Sequence, residues 1–135
     1  MFGQSINPEG GYMKTRKRVY VAGPYSCEGR CKPLGVDLEY MRKGLEASVK
    51  IFKMGYAPFC PWLDYLFQFV SGGAELERKD YYEFSMAWLE VADMVYVIEL
   101  REHSYGTQAE IDRAIELGIP VVYTLKKLEE VRDGI

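Results

Sequence analysis

The stretch SYGTQAEIDRAIELGIPVVY, residues 104–123, contains the side chain best suited by type and place to do chemistry, Glu110. It follows Thr107 at the spacing of a capping box, T-x-x-E, in which hydroxyl and carboxylate each satisfy a free backbone donor at a helix start. The same placement sets a carboxylate in the positive end of a helix dipole. That favours its ionised form and suits a nucleophile. Cap and reagent therefore both stand open for Glu110. A second candidate is GPYS at residues 23–26, where Gly23 allows close backbone approach and Tyr25 and Ser26 offer hydroxyls. It lacks the Lys-Ser/Thr of a Walker loop and the glycine spacing of a dinucleotide fingerprint. By itself it reads as a strand-to-loop turn.

Other reactive residue types form no set. Cys27, Cys31 and Cys60 are an odd number with no C-x-x-C pair, and the lone His103 cannot complete a zinc site of the usual ligand count. The three cysteines read as free buried thiols, and neither a metal nor a cofactor is expected. Arg30 and Lys32 would reach a 5′-phosphate if their loop folds over the site. Solvent-facing charge is the plainer reading.

These residues must be positioned by strands and helices, and the hydrophobic pattern predicts both. RVYVA at Arg18–Ala22 reads as a short buried strand broken by Gly23-Pro24, and a helix is expected over 38–54 with Leu38, Met41, Leu45, Val49 and Phe52 as its apolar stripe. GYAPFCPW supplies a second strand that Pro58 and Pro61 push to a sheet edge. After an apolar segment at 62–70, a helix over 80–91 carries Tyr81, Phe84, Trp88 and Val91 at helical spacing, a stripe that fits core or subunit contact. MVYVIEL is a third strand. TQAEIDRAIELG is a helix closed by Gly118, IPVVYTL a fourth strand, and a charged helix ends the pattern. Strands alternating with helices imply an α/β fold: a single-domain, flavodoxin-like parallel sheet with helices on both faces and strand order 2-1-3-4. Ligands then sit between the first and third strands, beside GPYSCEGR and REHSYGTQAE.

Composition narrows the classes of function. With 135 residues, 48% hydrophobic and 27% charged, the chain fits one globular domain. A net charge of −3 without a basic stripe argues against gripping polymeric nucleic acid. The basic run KTRKR at 14–18 reads as a solvated strand entrance. No apolar run is long enough to span a bilayer and MFGQSINPEGGY lacks a secretory apolar segment, so a cytoplasmic protein without membrane contact is expected. Residues 1–16 read as a flexible tail and 17–135 as the domain.

Four blocks in order, VYVAGPYS, GYAPFCP, WLEVADMVYVIE and SYGTQAEIDRAIELGIPVV, resemble the nucleoside 2-deoxyribosyltransferase family and the related nucleoside 5′-monophosphate N-glycosidases. The resemblance covers residues 18–124 and ends in an S-x-G-x-x-x-E element formed by Ser104, Gly106 and Glu110. It implies that Glu110 attacks the anomeric carbon of a nucleoside sugar, releasing the base and leaving a glycosyl ester that water or another base resolves. It further implies that Ser104 contacts the sugar or its 5′-phosphate, and that Tyr20 steadies the nucleophile, although a tyrosine there also packs a sheet. Phe59, Trp62 and Tyr65 would stack on the base or simply pack the core. The partner is then a small nucleoside or nucleotide, and a homodimer or higher oligomer is expected.

One position departs from the family pattern. Many members place an aspartate three residues before the tryptophan of the second helix, to protonate or orient the base, and this chain has Ser85 before Trp88. Asp80, Glu83 or Asp93 are the candidate substitutes, Asp93 being more typical of a turn. Transferase members also carry a polar residue near the C-terminus that reaches a neighbour's site, which KKLEEVRDGI does not obviously provide. Hydrolysis is therefore expected ahead of base exchange, with a non-catalytic nucleotide-binding module as the third reading.

Overall fold

The computed structural model describes residues 4–6, 12–24, 38–98 and 105–134. Four parallel strands, β3 (Arg18–Ala22), β4 (Ala57–Phe59), β5 (Met94–Val97) and β6 (Val121–Val122), lie in the order β4-β3-β5-β6. Counted from Arg18 this is the 2-1-3-4 order expected. Four helices accompany them: α1 (Leu38–Lys53), α2 (Arg78–Leu89), α3 (Tyr105–Glu116) and α4 (Leu125–Asp133). Within the segment read as a tail, β1 (Gln4–Ile6) and β2 (Tyr12–Lys14) pair antiparallel as a separate two-stranded sheet.

The central strand shows why the sequence runs continuously apolar there: parallel strands are covered on both faces, so every side chain after Arg18 is buried. Alternation then sorts them. Val19 and Val21 pack with Ala47 and Ile51 of α1 and Leu128 of α4. Tyr20 and Ala22 pack with Leu89 of α2 and Ile111 and Ala114 of α3. β4 takes the edge, where prolines lacking an N–H are tolerated. Gly118, at φ +72°, closes α3 in the left-handed conformation that a glycine adopts without penalty.

The polar ends are also accounted for. Thr124 caps α4 by accepting from the Lys127 N–H at 3.1 Å, and Tyr56 Oη donates to the Leu128 carbonyl at 2.8 Å, tying α4 to the start of β4. Arg16, from the basic run, donates to the Phe52 and Tyr56 carbonyls at 2.8 and 3.0 Å and lies over the Phe52 ring. It fastens the end of α1 to the sheet. Among the described residues no helix is long and apolar enough to cross a membrane.

One expected stripe is corrected, and the other is only partly buried. The buried face of α1 is Gly44, Ala47, Ser48 and Ile51, whereas Leu38, Leu45, Val49 and Phe52 are exposed. The buried residue of α2 is Leu89, whereas Trp88 and Val91 stand half exposed. The reason at α1 is the Trp62 indole, from the 3₁₀ segment Pro61–Phe69. It needs room beneath the helix that only small residues leave, and its ring is 1% exposed. Trp62 Nε1 donates to the Pro24 carbonyl at 3.0 Å. A Cβ on Gly44 would lie 2.6 Å from Trp62 Cζ3 and 2.8 Å from Cδ2, and one on Gly23 would lie 3.1 Å from the same ring. Gly44→Ala is expected to destabilise by about 1–3 kcal/mol or more through this overpacking, read as a lower urea midpoint at unchanged m. A midpoint equal to wild type would show that Trp62 is free to move.

Candidate functional site

β3 leads to α1 on one face of the sheet and β5 leads to α3 on the other, so the C-terminal ends of these neighbouring strands part to form a crevice. Tyr20 rises from the middle of β3 on the α2/α3 side and is wholly buried. Its hydroxyl has no hydrogen-bond partner at ordinary distance. It nevertheless faces the Glu110 carboxyl and the Ser85 hydroxyl closely enough that both act on its ionisation. Burial first, then the Glu110 charge, hold the phenol well above its usual range. Tyr20 of β3, which the resemblance pairs with Glu110, thus lies near Glu110 of α3 and also near Ser85 of α2, the position where the family aspartate is missing.

Glu110 itself corrects the capping-box reading. α3 begins at Tyr105 rather than Thr107, which places Glu110 as its sixth residue and beyond the free donors of the first turn. Thr107 is buried and no acidic residue lies in that turn. A capping pair stands instead on α2, where Asp80 accepts from the Glu77 N–H at 2.8 Å. The expectation that the helix dipole keeps Glu110 ionised is also reversed. Glu110 is partly exposed as a residue, yet its carboxyl end is enclosed, and loss of hydration raises its pKa to about 8 against the lowering effect of Tyr20. Burial outweighs a dipole that acts mainly in the first turn.

The walls are aromatic. Phe59, directly opposite Tyr20 in the β3–β4 register, stacks on it at 5.6 Å and on Trp88 at 5.5 Å, with Phe84 tilted against Phe59 and edge-on to Trp88. Trp62, read as a base-stacking candidate, is a core residue instead, its ring consumed by Gly44, Gly23 and Pro24. Tyr65 makes an edge contact with Phe69. Gly23 sits where β3 ends and Gly106 is exposed in the first turn of α3. Tyr25, Ser26, Arg30, Lys32, His103 and Ser104, with Cys27 and Cys31, lie outside the described residues. Cys60 is a free, buried thiol as expected.

The substitutes for an acid at position 85 do not converge on the site. Asp80 is engaged at the start of α2, and Asp93 accepts from the Arg18 N–H at 2.7 Å, at the opposite end of the strands. Glu83 is exposed. Asp64, which sequence reasoning passed over, is buried, and its charge acts on both Tyr20 and Tyr81. The available signal was a lone acid within the apolar run PWLDYLFQF. Asp64 also lines an apolar cavity of about 520 Å³ at the β4 edge, with Leu45, Phe52, Leu63, Phe67 and Phe84. Glu110 is not part of that lining.

A carboxyl whose pKa rises from 4.5 unfolded to about 8 folded keeps its proton in the folded protein while the unfolded chain has lost it. The native state therefore binds more protons across this interval, and stability falls as pH climbs from about 4.5 to about 8. Glu110→Gln removes that slope. The variant should gain on wild type in urea midpoint steadily through this range and level off above it. A parallel pair of midpoint-against-pH curves would contradict the buried, neutral carboxyl.

Similarities to known proteins agree with this architecture. A 2-deoxyribosyltransferase from Bacillus psychrosaccharolyticus superposes with a TM-score of 0.57 at 21% identity, over 77% of this chain and 69% of that one. A conserved protein from Enterococcus faecalis V583 superposes with a TM-score of 0.54 at 20% identity, over 81% of this chain but only 63% of its own length. At these identities the likeness is one of fold. No curated protein matches the chain. The family model DUF7768, a domain of unknown function, matches residues 17–124. Since that match takes in both strands of the crevice and Glu110, the chain belongs to the DUF7768 family.

Proposed function

We propose that the protein processes small nucleosides or nucleoside 5′-monophosphates by cleaving the N-glycosidic bond, with Glu110 as nucleophile. The observation that carries this reading is the Glu110 carboxyl enclosed beside the unpartnered, buried Tyr20 hydroxyl at the crevice between β3 and β5. The fold shared with a 2-deoxyribosyltransferase supports it. In the reaction, an oxygen of ionised Glu110 bonds to the anomeric carbon as the carbon–nitrogen bond breaks and its electron pair leaves with the base. Water then opens the ester, or a second base does so in an exchange reaction. With its pKa at about 8, Glu110 attacks from the fraction that has already lost its proton to solvent, and positive charge building on the sugar stabilises that carboxylate in the transition state. Tyr20, pre-placed and without another partner, donates to the carboxylate and holds its orientation.

Hydrolysis stands ahead of exchange in this reading, and Ser104 and Gly106 would complete the sugar or phosphate contacts beside Tyr25 and Ser26. The outward apolar residues Leu45, Val49 and Phe52 of α1 and Trp88 of α2 supply a face for a second copy of the chain.

Glu110→Gln separates reagent from structural residue, because glutamine keeps the shape but forms no glycosyl ester at a useful rate. Base release from a panel of nucleosides and 5′-monophosphates, followed by chromatography, should fall by about a thousandfold or more, with nucleotide binding retained. Near-normal turnover by the variant would remove Glu110 from the mechanism.

A further inference from the structure

A tyrosine hydroxyl lies on the axis of its ring, so turning χ2 leaves Oη in place, while turning χ1 or leaning the ring swings it. It is fixed either by a hydrogen bond at its tip or by packing along the ring. At Tyr20 the tip makes no hydrogen bond at ordinary distance. Its place beside Glu110 therefore depends on what the ring touches.

That ring stacks on Phe59. The two residues are Cα partners in the parallel β3–β4 ladder, so their side chains leave the sheet side by side, and their rings lie 5.6 Å apart at 26°. Phe59 is braced in turn from α2, by Trp88 at 5.5 Å and 23° and by Phe84 at 6.1 Å and 49°. A base stacked on Phe59 would compete with these rings. On its outer side β4 is the edge strand, and Phe59 and Phe84 both line the apolar cavity of about 520 Å³, with Leu45, Phe52 and Phe67. Phe59 thus separates that space from Tyr20. Without its ring the cavity would extend to the flank of Tyr20, which then has room to lean towards β4 and carry its hydroxyl away from Glu110.

We infer that Phe59 is a positioning residue for the proposed cleavage: braced by Trp88 and Phe84, it holds the Tyr20 ring upright so that the hydroxyl meets the Glu110 carboxylate. This rests on the glycosidic-cleavage reading above and deepens it. Phe59 acts through Tyr20, and its effect on turnover vanishes when the Tyr20 hydroxyl is removed.

The test compares the full chain with Phe59→Leu, Tyr20→Phe and the double variant in base release from the panel of nucleosides and 5′-monophosphates. Each variant is first shown to melt cooperatively, with Phe59→Met replacing Phe59→Leu should the latter not fold. Phe59→Leu should lower kcat by about tenfold or more and leave KM within about twofold of wild type. In the Tyr20→Phe background the same change should have no further effect. Phe59→Tyr, which keeps the ring, should restore kcat. A raised KM at unchanged kcat would make Phe59 a platform for the base, and an equal loss of kcat in both backgrounds would make it a packing residue only. Either result overturns the inference and leaves glycosidic cleavage intact.

A second readout needs no substrate. Among the described residues the polar groups that act on Tyr20 are Glu110, Ser85 and Asp64, and the one that acts on Glu110 is Tyr20, which lowers its pKa. Moving the Tyr20 hydroxyl away raises the folded pKa of Glu110 further, so the fall of the urea midpoint with pH should continue to a higher pH in Phe59→Leu, as in Tyr20→Phe. A curve that levels off at the wild-type pH overturns the inference even where base is released. No base release by the wild-type protein removes the cleavage reading, and the role of Phe59 in turnover with it.

Discussion

The indole of Trp62 is the constraint from which the rest of the architecture follows. It comes from an irregular segment after the edge strand, yet it fills the space between α1 and the end of β3, and full burial of such a side chain contributes about 1.5–3 kcal/mol. Glycine at 44 lets α1 approach and glycine at 23 lets the ring lie against the chain as it leaves the sheet. The indole N–H then fixes the Pro24 carbonyl. One side chain thereby sets the height of a helix and the exit direction of the strand that carries Tyr20. The outward turn of Leu45, Val49 and Phe52 is the other face of the same packing.

On the opposite side of the sheet, loss of hydration outweighs every other influence. Tyr20 and Glu110 are both driven towards their neutral forms by burial, and each modifies the other: the charge of Glu110 raises Tyr20, while the Tyr20 hydroxyl lowers Glu110. A carboxyl kept neutral at rest and placed beside an unsatisfied hydroxyl is costly to fold and contributes little to stability. Such a pair suits a site that waits for positive charge to develop next to it. The surface ion pair of Arg113 with Glu90 ties α3 to the end of α2 only weakly by comparison, and that with Glu116 lies within α3.

Much of this was legible in the sequence. The strand bounds at Arg18–Ala22, the edge position of the proline-flanked strand, the sheet order and the glycine that ends α3 all follow from local pattern and turn chemistry. The approach of Tyr20, Ser85 and Glu110 was legible through resemblance rather than periodicity. The face of α1 was not. Hydrophobic spacing finds the larger apolar residues, whereas the buried face of α1 is made of Gly44, Ala47, Ser48 and Ile51, with Gly44 fixed by close packing on Trp62. The start of α3 was misplaced because Thr107 and Glu110 fit a cap by spacing while the helix had already begun at Tyr105. The protonation of Glu110 was unreadable, since it depends on enclosure by residues distant in the chain.

The proposed mechanism stands on a covalent bond between Glu110 and a sugar. Mass spectrometry of the protein quenched during turnover, or loaded with a 2-fluoro-substituted nucleoside that slows ester hydrolysis, tests that bond directly. The expected result is a protein heavier by one glycosyl group, with the added mass on the peptide that contains Glu110 and absent from Glu110→Gln. Base release with no adduct under either condition, or an adduct on a different residue, would contradict it.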